Sequence, residues 1–289
     1  MNKYFSDYSR PVTAATKSFF ILILIVWGVS GYAQPLRDCR SEKLGLLRYV
    51  PSGEFQRDTN NNTISVVSSF YMSAQKITYK QFTDIIGFDI FKQNSESNPH
   101  EPVQRINWFH ILVFCNKLSI IENLTPVYSI NNAVDPDAWG KIPRGFDASW
   151  DAAQRWNTVR VDWSANGYRL PTETEWLWAL VNSDSGAPIV QGKKETAYAD
   201  SNNNADGVEV STVLKREQTT DFKGDGISTL IGEWCWDWYA FYPEERLTNY
   251  TGPEIGRCRT IRYDRYPQQR YYEYPYFELT GISFRVVRH

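Results

Sequence analysis

Asn166-Gly167-Tyr168-Arg169-Leu170-Pro171-Thr172-Glu173-Thr174-Glu175-Trp176 packs two structural signals into one short stretch. Asn166-Gly167 reads as a tight turn, since both residue types tolerate the positive φ such turns require. Thr172 with Glu175 three positions on forms a capping box, each side chain satisfying an orphan backbone N–H at a helix start. The helix so begun, Glu173 to Leu180, buries Trp176, Ala179 and Leu180. Ahead of the turn, Val159 to Trp163 reads as a strand.

Working outward toward the C-terminus, residues 182–226 are polar and loop-like. Gly232-Glu233-Trp234-Cys235-Trp236-Asp237-Trp238-Tyr239 then alternates with period two, which puts the tryptophans on one face of a strand and Glu233, Cys235 and Asp237 on the other. Toward the N-terminus, residues 131–160 are rich in Asn, Asp, Gly and Trp without periodicity and read as a long ordered loop. A helix starting near Asn107 places Trp108, Ile111, Leu112, Cys115 and Leu118 on one buried stripe. Cys115 is therefore a core thiol, and His110 reads as a partly exposed helix residue. Upstream, Thr78 and Gln81 cap another helix with Phe82, Ile85 and Ile86 on its apolar face, stopped by Gly87. Tyr49 to Phe55 reads as a strand entering a turn.

The chain has 289 residues, 42% hydrophobic and 22% charged, so it can bury a large core. No internal repeat or shift in composition divides residues 49–289, which read as one domain. Residues 1–33 carry Lys3, Arg10 and Lys17, an apolar run from Phe19 to Val29 and small residues through Ala33, the pattern of a signal peptide. The run is shorter than the ~20 residues needed to span a bilayer, so the chain is expected to be exported to the periplasm, cell surface or medium, with membrane contact only through an uncleaved N-terminal segment. Residues 34–48 follow as an extension. A formal charge of −2 gives no footprint for nucleic acid. Cys39, Cys115, Cys235 and Cys258 match no zinc spacing and leave the disulfide pairing open.

Five segments, in order, carry a resemblance. They are Tyr49-Val50-Pro51-Ser52-Gly53-Glu54-Phe55, Ile106-Asn107-Trp108 through Ser119, Trp163 through Trp176, Glu233 through Tyr239, and the closing Gly281-Ile282-Ser283-Phe284-Arg285-Val286-Val287. Together they resemble the formylglycine-generating-enzyme, or sulfatase-modifying-factor, family. The resemblance implies a loop-rich α+β domain of the C-type-lectin fold, with small antiparallel sheets and a few helices.

Enzymes of that family hold copper with two cysteines that follow a strand near the C-terminus. Here Arg262-Tyr263-Asp264-Arg265-Tyr266 occupies that strand and no Cys comes after Cys258, so the resemblance implies a member without that chemistry. The alternative is an enzyme of the same type acting on a protein thiol through other residues. The family also has calcium loops, one of them in a segment where this chain reads Leu230-Ile231-Gly232-Glu233-Trp234. Asp200, Asn202, Asn204 and Asp206 are candidate oxygen ligands for calcium.

Between Tyr263 and Tyr276 six of fourteen residues are Tyr, interleaved with Asp264, Arg265, Gln268, Gln269, Arg270 and Glu273. Tyr266, Tyr271, Tyr272 and Tyr274 complete the set. Tyr and Arg together are the composition of binding hot spots. From Arg257 onward every basic side chain except the terminal His289 is Arg, which reads as a locally positive surface. The placement is similar to that of the variable residues in retroelement-diversified ligand-binding proteins of this fold. A face binding protein or glycan, extended by Trp236 and Trp238, is therefore one expectation. A tyrosine ribbon packed on the domain is the other.

Overall fold

Turn and cap chemistry sets the local frame. Thr78 and Gln81 make the reciprocal capping box, and Gly87, at φ 80°, closes the same helix by donating its N–H to the Thr83 carbonyl. Asn107 caps the next helix through His110. Thr172 and Glu175 exchange side-chain to backbone bonds of 2.8 and 3.1 Å at the start of a third.

The computed structural model of the chain describes residues 38–57, 63–87, 98–145, 150–181, 231–264 and 269–289. Its elements run β1 (Cys39–Ser41), β2 (Gly45–Val50), β3 (Gly53–Gln56), β4 (Ile64–Val67), β5 (Phe70–Ser73), α1 (Tyr79–Ile86), α2 (Trp108–Ile121), β6 (Tyr128–Ser129), α3 (Trp150–Asn157), β7 (Arg160–Val161), α4 (Glu173–Val181), β8 (Gly232–Trp238), β9 (Leu247–Thr248), β10 (Arg259–Arg262), β11 (Tyr271–Glu273), β12 (Ile282–Ser283) and β13 (Val287–Arg288). Helices and several small sheets joined by long loops make an α+β architecture. Residues 39–48, read from sequence as an extension ahead of the domain, supply β1 and most of β2.

Two four-stranded sheets carry the frame, ordered β1-β2-β5-β13 and β11-β10-β8-β12. The first joins the two ends of the described chain: β13 pairs antiparallel with β5, Val287 opposite Met72. The Ser73 N–H donates to the Val286 carbonyl at 2.9 Å. In the second sheet β8 is covered on both sides. Trp234 and Trp236 face a core around α2, with Phe82, Phe114 and Phe284, while Cys235 faces a second core with Trp176, Trp178 and Phe70. The alternation read from sequence is present, but both faces are interior. Burying a side chain of Phe or Leu size contributes about 1.5–3 kcal/mol, so this double cover stabilises the site's scaffold from both sides.

Three readings need correction. α2 is buried nearly all round rather than on one stripe, because sheets and loops enclose it. His110 is accordingly buried; it accepts from the Asn107 N–H at 3.3 Å through Nδ1, and burial, with the charge of Arg144 second, pushes it down to about 3. The segment 131–160 is not loop throughout: it holds a 3-10 turn at Pro136–Ala138 and α3. Trp156 of α3 packs edge-on against Trp139 and tilted against Phe109. Among its described side chains only Ala153 and Trp156 are buried, too few to show a helical period.

Candidate functional site

The stretch from Asn166 to Trp176 works as a junction. Arg169 Nη1 and Nη2 donate to the two oxygens of Glu175 at 2.7 Å each, both groups buried. Burial alone would raise Glu175, but the Arg169 guanidinium outweighs it and holds the carboxyl low. The Pro171 carbonyl accepts from the Trp236 N–H of β8 at 2.9 Å. Glu173, in the first turn of α4, turns toward β10 and the segment leading into β11. It accepts from Arg262 Nη1 at 3.0 Å and from Arg270 Nε and Nη2 at 2.7 Å each. Its backbone N–H donates to Asp237 Oδ2 at 2.6 Å. Burial, then the Glu173 charge, raises the Asp237 carboxyl well above the usual range.

Arg270 thus ties the segment before β11 to the core. Its Nη1 also donates to the Ala240 carbonyl at 2.7 Å, and its guanidinium lies over the rings of Tyr242 and Tyr239 at 4.1 and 4.8 Å. On the opposite side of the sheet Arg259 is fully buried, 3.3 Å from the Trp238 ring centre and 3.7 Å from that of Trp108, and it donates to the Trp236 carbonyl at 2.7 Å. Among the described residues no carboxylate lies within ion-pair distance of Arg259. Ring quadrupoles and a carbonyl dipole take that place. Arg285 is buried too, on Glu233 at 3.1 Å.

The positive surface expected from the C-terminal arginines is therefore absent from Arg259, Arg262, Arg270 and Arg285. The partners of Arg262, Arg270 and Arg285, Glu173 and Glu233, lie far off in sequence, so the run of Arg signalled a buried charge network. Trp238 is likewise buried and Trp236 half-buried, so neither is an open contact ring.

What reaches solvent is a band of rings. Tyr271, Tyr272 and Tyr274 are 38%, 55% and 36% exposed, and Phe241 is 94% exposed. Tyr272 rests on Tyr239 at 4.4 Å, Tyr271 on Tyr263 at 4.8 Å, and Tyr274 stacks on Tyr276 at 5.4 Å. Gln269 is exposed beside them, and Asp264 and Glu273 are half-exposed. Arg265, Tyr266 and Gln268 lie outside the described residues, as do Asp200, Asn202, Asn204 and Asp206. In each ring pair one tyrosine is packed on the domain and the other reaches solvent. Sequence reasoning passed over Tyr239 and Phe241 as members of this face. Its signal was the run of rings continuing past the strand, Trp238-Tyr239-Ala240-Phe241-Tyr242.

All four cysteines are free. Cys115 and Cys235 are buried in different cores, and burial pushes both thiols up. Cys258 is half-exposed, raised by burial and then by Glu273. Among the described residues no cluster of three or more His, Cys, Asp or Glu is arranged to hold a metal ion. Thiols set apart in this way do not fit a copper ion, which needs two on one centre.

A family model described as the sulfatase-modifying factor enzyme 1-like domain matches residues 37–289. The chain belongs to that family. The chain is 28% identical over 255 residues to a protein named chaperone protein LppX from Paenibacillus barcinonensis, an alignment covering 78% of this chain and 81% of that one. Its fold is that of Treponema denticola variable protein 1 (22% identity, TM-score 0.56, 84% of this chain and 94% of that one). PvdO from Pseudomonas aeruginosa is similar at 12% identity and a TM-score of 0.50, covering 89% of this chain and 99% of that one. The α+β, loop-rich reading and the family resemblance both stand. As a sulfatase-modifying-factor-like domain, the chain places its aromatic band on the edge of the sheet that carries β8 and β10.

Proposed function

We propose that the chain is an exported, non-catalytic ligand-binding protein whose contact surface is the ring band of Tyr239, Phe241, Tyr271, Tyr272 and Tyr274. The observation that carries this reading is the exposure of three large rings, Tyr271, Tyr272 and Tyr274, on a segment clamped to the core by Arg270. Exposed aromatic area held rigid supplies contact at low entropic cost. The isolated thiols speak against copper-dependent oxidation of a partner cysteine. A family relative named as a chaperone and a structural neighbour named as a variable protein fit a partner that is itself a protein or glycan. Export rests on the basic and apolar pattern of residues 1–33.

Screening the purified protein against glycan and peptide arrays tests this, beside a Tyr271→Ala/Tyr272→Ala variant. Binding lost in the variant with unchanged melting supports the face. Binding retained in the variant, or turnover of a sulfatase-type Cys peptide with copper, would overturn it.

A further inference from the structure

Proteins blunt the open edge of a sheet with Lys, Pro, a bulge or a covering loop, because unpaired backbone groups recruit other chains. β11 ends the order β11-β10-β8-β12, so one of its edges carries no strand among the described residues. The strand is short and carries one charged side chain, Glu273, but it has no Lys, Pro or bulge within it. Its three residues are Tyr271, Tyr272 and Glu273, and its register with β10 is regular: Ile261 opposite Tyr271, Thr260 opposite Tyr272, Arg259 opposite Glu273. The far edge of the other large sheet, β1, by contrast sets an exposed Arg40 at its centre.

Alternation sends Tyr271 and Glu273 to one face of the sheet and Tyr272 to the other. A strand laid beside β11 would therefore meet an exposed ring on each face, and aromatic cross-strand pairs are among the more favourable ones. The edge is held in place by Arg270 on Glu173, which limits the ordering cost of binding.

From these features we infer that the ligand of this face is an extended polypeptide segment of a partner protein, added as a fifth strand along β11, with a Lys or Arg facing Glu273. The charge preference follows from what the buried network leaves over. Arg259, Arg262 and Arg270 are committed inside. Glu273 makes no ion pair among the described residues, its carboxylate accepting the neighbouring Tyr274 N–H at 2.8 Å. Glycan hydroxyls meet single backbone groups, whereas a polypeptide strand matches the edge's donors and acceptors in register as well as the rings. This inference rests on the ligand-binding reading of the face.

A displayed library of random dodecapeptides selected on the purified full chain provides the probe. Selected peptides should alternate β-branched or aromatic residues with Lys or Arg, and should slow hydrogen exchange at Tyr271–Glu273. N-methylation of alternate peptide amides should weaken them about tenfold or more in one of the two registers and little in the other, because only one set faces the edge. Glu273→Lys should reverse the preference toward acidic peptides, an effect that a merely structural loss would not produce. Equal tolerance of N-methylation in both registers would overturn strand addition. So would a dimer that dissociates on Tyr272→Lys, which would seat a second copy on the edge. Glycans captured and lost in Tyr271→Ala/Tyr272→Ala, with no peptide selected, would overturn strand addition and leave the binding face standing. Capture of neither class would overturn both.

Discussion

A carboxyl group taken out of water and set beside a second carboxylate holds its proton to higher pH, and Asp237 meets both conditions. Its folded value lies above the ~3.9 of an unfolded Asp, so through that window the folded state binds more protons than the unfolded one and stability falls as pH rises. Asp237→Asn removes that loss. Thermal melts from acid to neutral pH should show the variant at least as stable as the parent at neutral pH, with a flatter slope; a lower melting point there would mean an ionised, well-paired Asp237. Glu175 runs the other way: Arg169 holds it low, so its contribution is present above the ~4.3 of an unfolded Glu and lost as pH falls through the folded value. Gly167, just ahead of the cap of α4, has a different constraint. A Cβ there would sit 2.2 Å from the Thr125 carbonyl oxygen and 2.6 Å from Ser119 Oγ, which accepts the Tyr168 N–H at 2.8 Å. Gly167→Ala should cost about 1–3 kcal/mol by overpacking, read as a lower denaturation midpoint.

At the scale of elements, the clamp on β11 matters most. Arg270→Ala leaves Glu173 paired with Arg262, so the core should persist while residues 269–274 exchange amide hydrogens faster. Lys should not restore protection, because it cannot make the planar, two-pronged contact. Unchanged exchange in Arg270→Ala would mean that Tyr272 on Tyr239 suffices to hold the strand. Elements like α1, α2 and the alternating β8 were legible from sequence because caps and periodicity are local signals: Thr78 with Gln81, Asn107 with the apolar stripe, the Trp alternation. What was not legible depended on partners distant in the chain. Nothing near Arg259 or Arg262 in sequence announces Trp108 or Glu173, so a buried guanidinium reads there as a surface cation. The exposed tyrosines were legible because no local partner was needed to leave them in water.

Across the whole molecule, cysteine accessibility reports the two cores directly. In the native protein a thiol reagent should modify Cys39 and Cys258, both half-exposed, and spare Cys115 and Cys235 until the chain is unfolded. Fast native modification of Cys235 would contradict a β8 covered on both faces. The pairing of β5 with β13 has a consequence of another kind. Ser73 and Val286 are 213 residues apart yet share hydrogen bonds, Arg285 reaches the Ala74 carbonyl at 2.9 Å, and Trp236 on β8 bonds to Pro171. Strands from before residue 181 and after residue 231 share the sheet β1-β2-β5-β13, and β9 pairs with β4 in the smaller sheet β3-β4-β9. A protease cut anywhere in 182–230 should therefore yield two pieces that migrate as one particle in native gel filtration and part only in denaturant. In effect the gene encodes two halves that complete each other's sheets, and the two halves expressed separately should find each other.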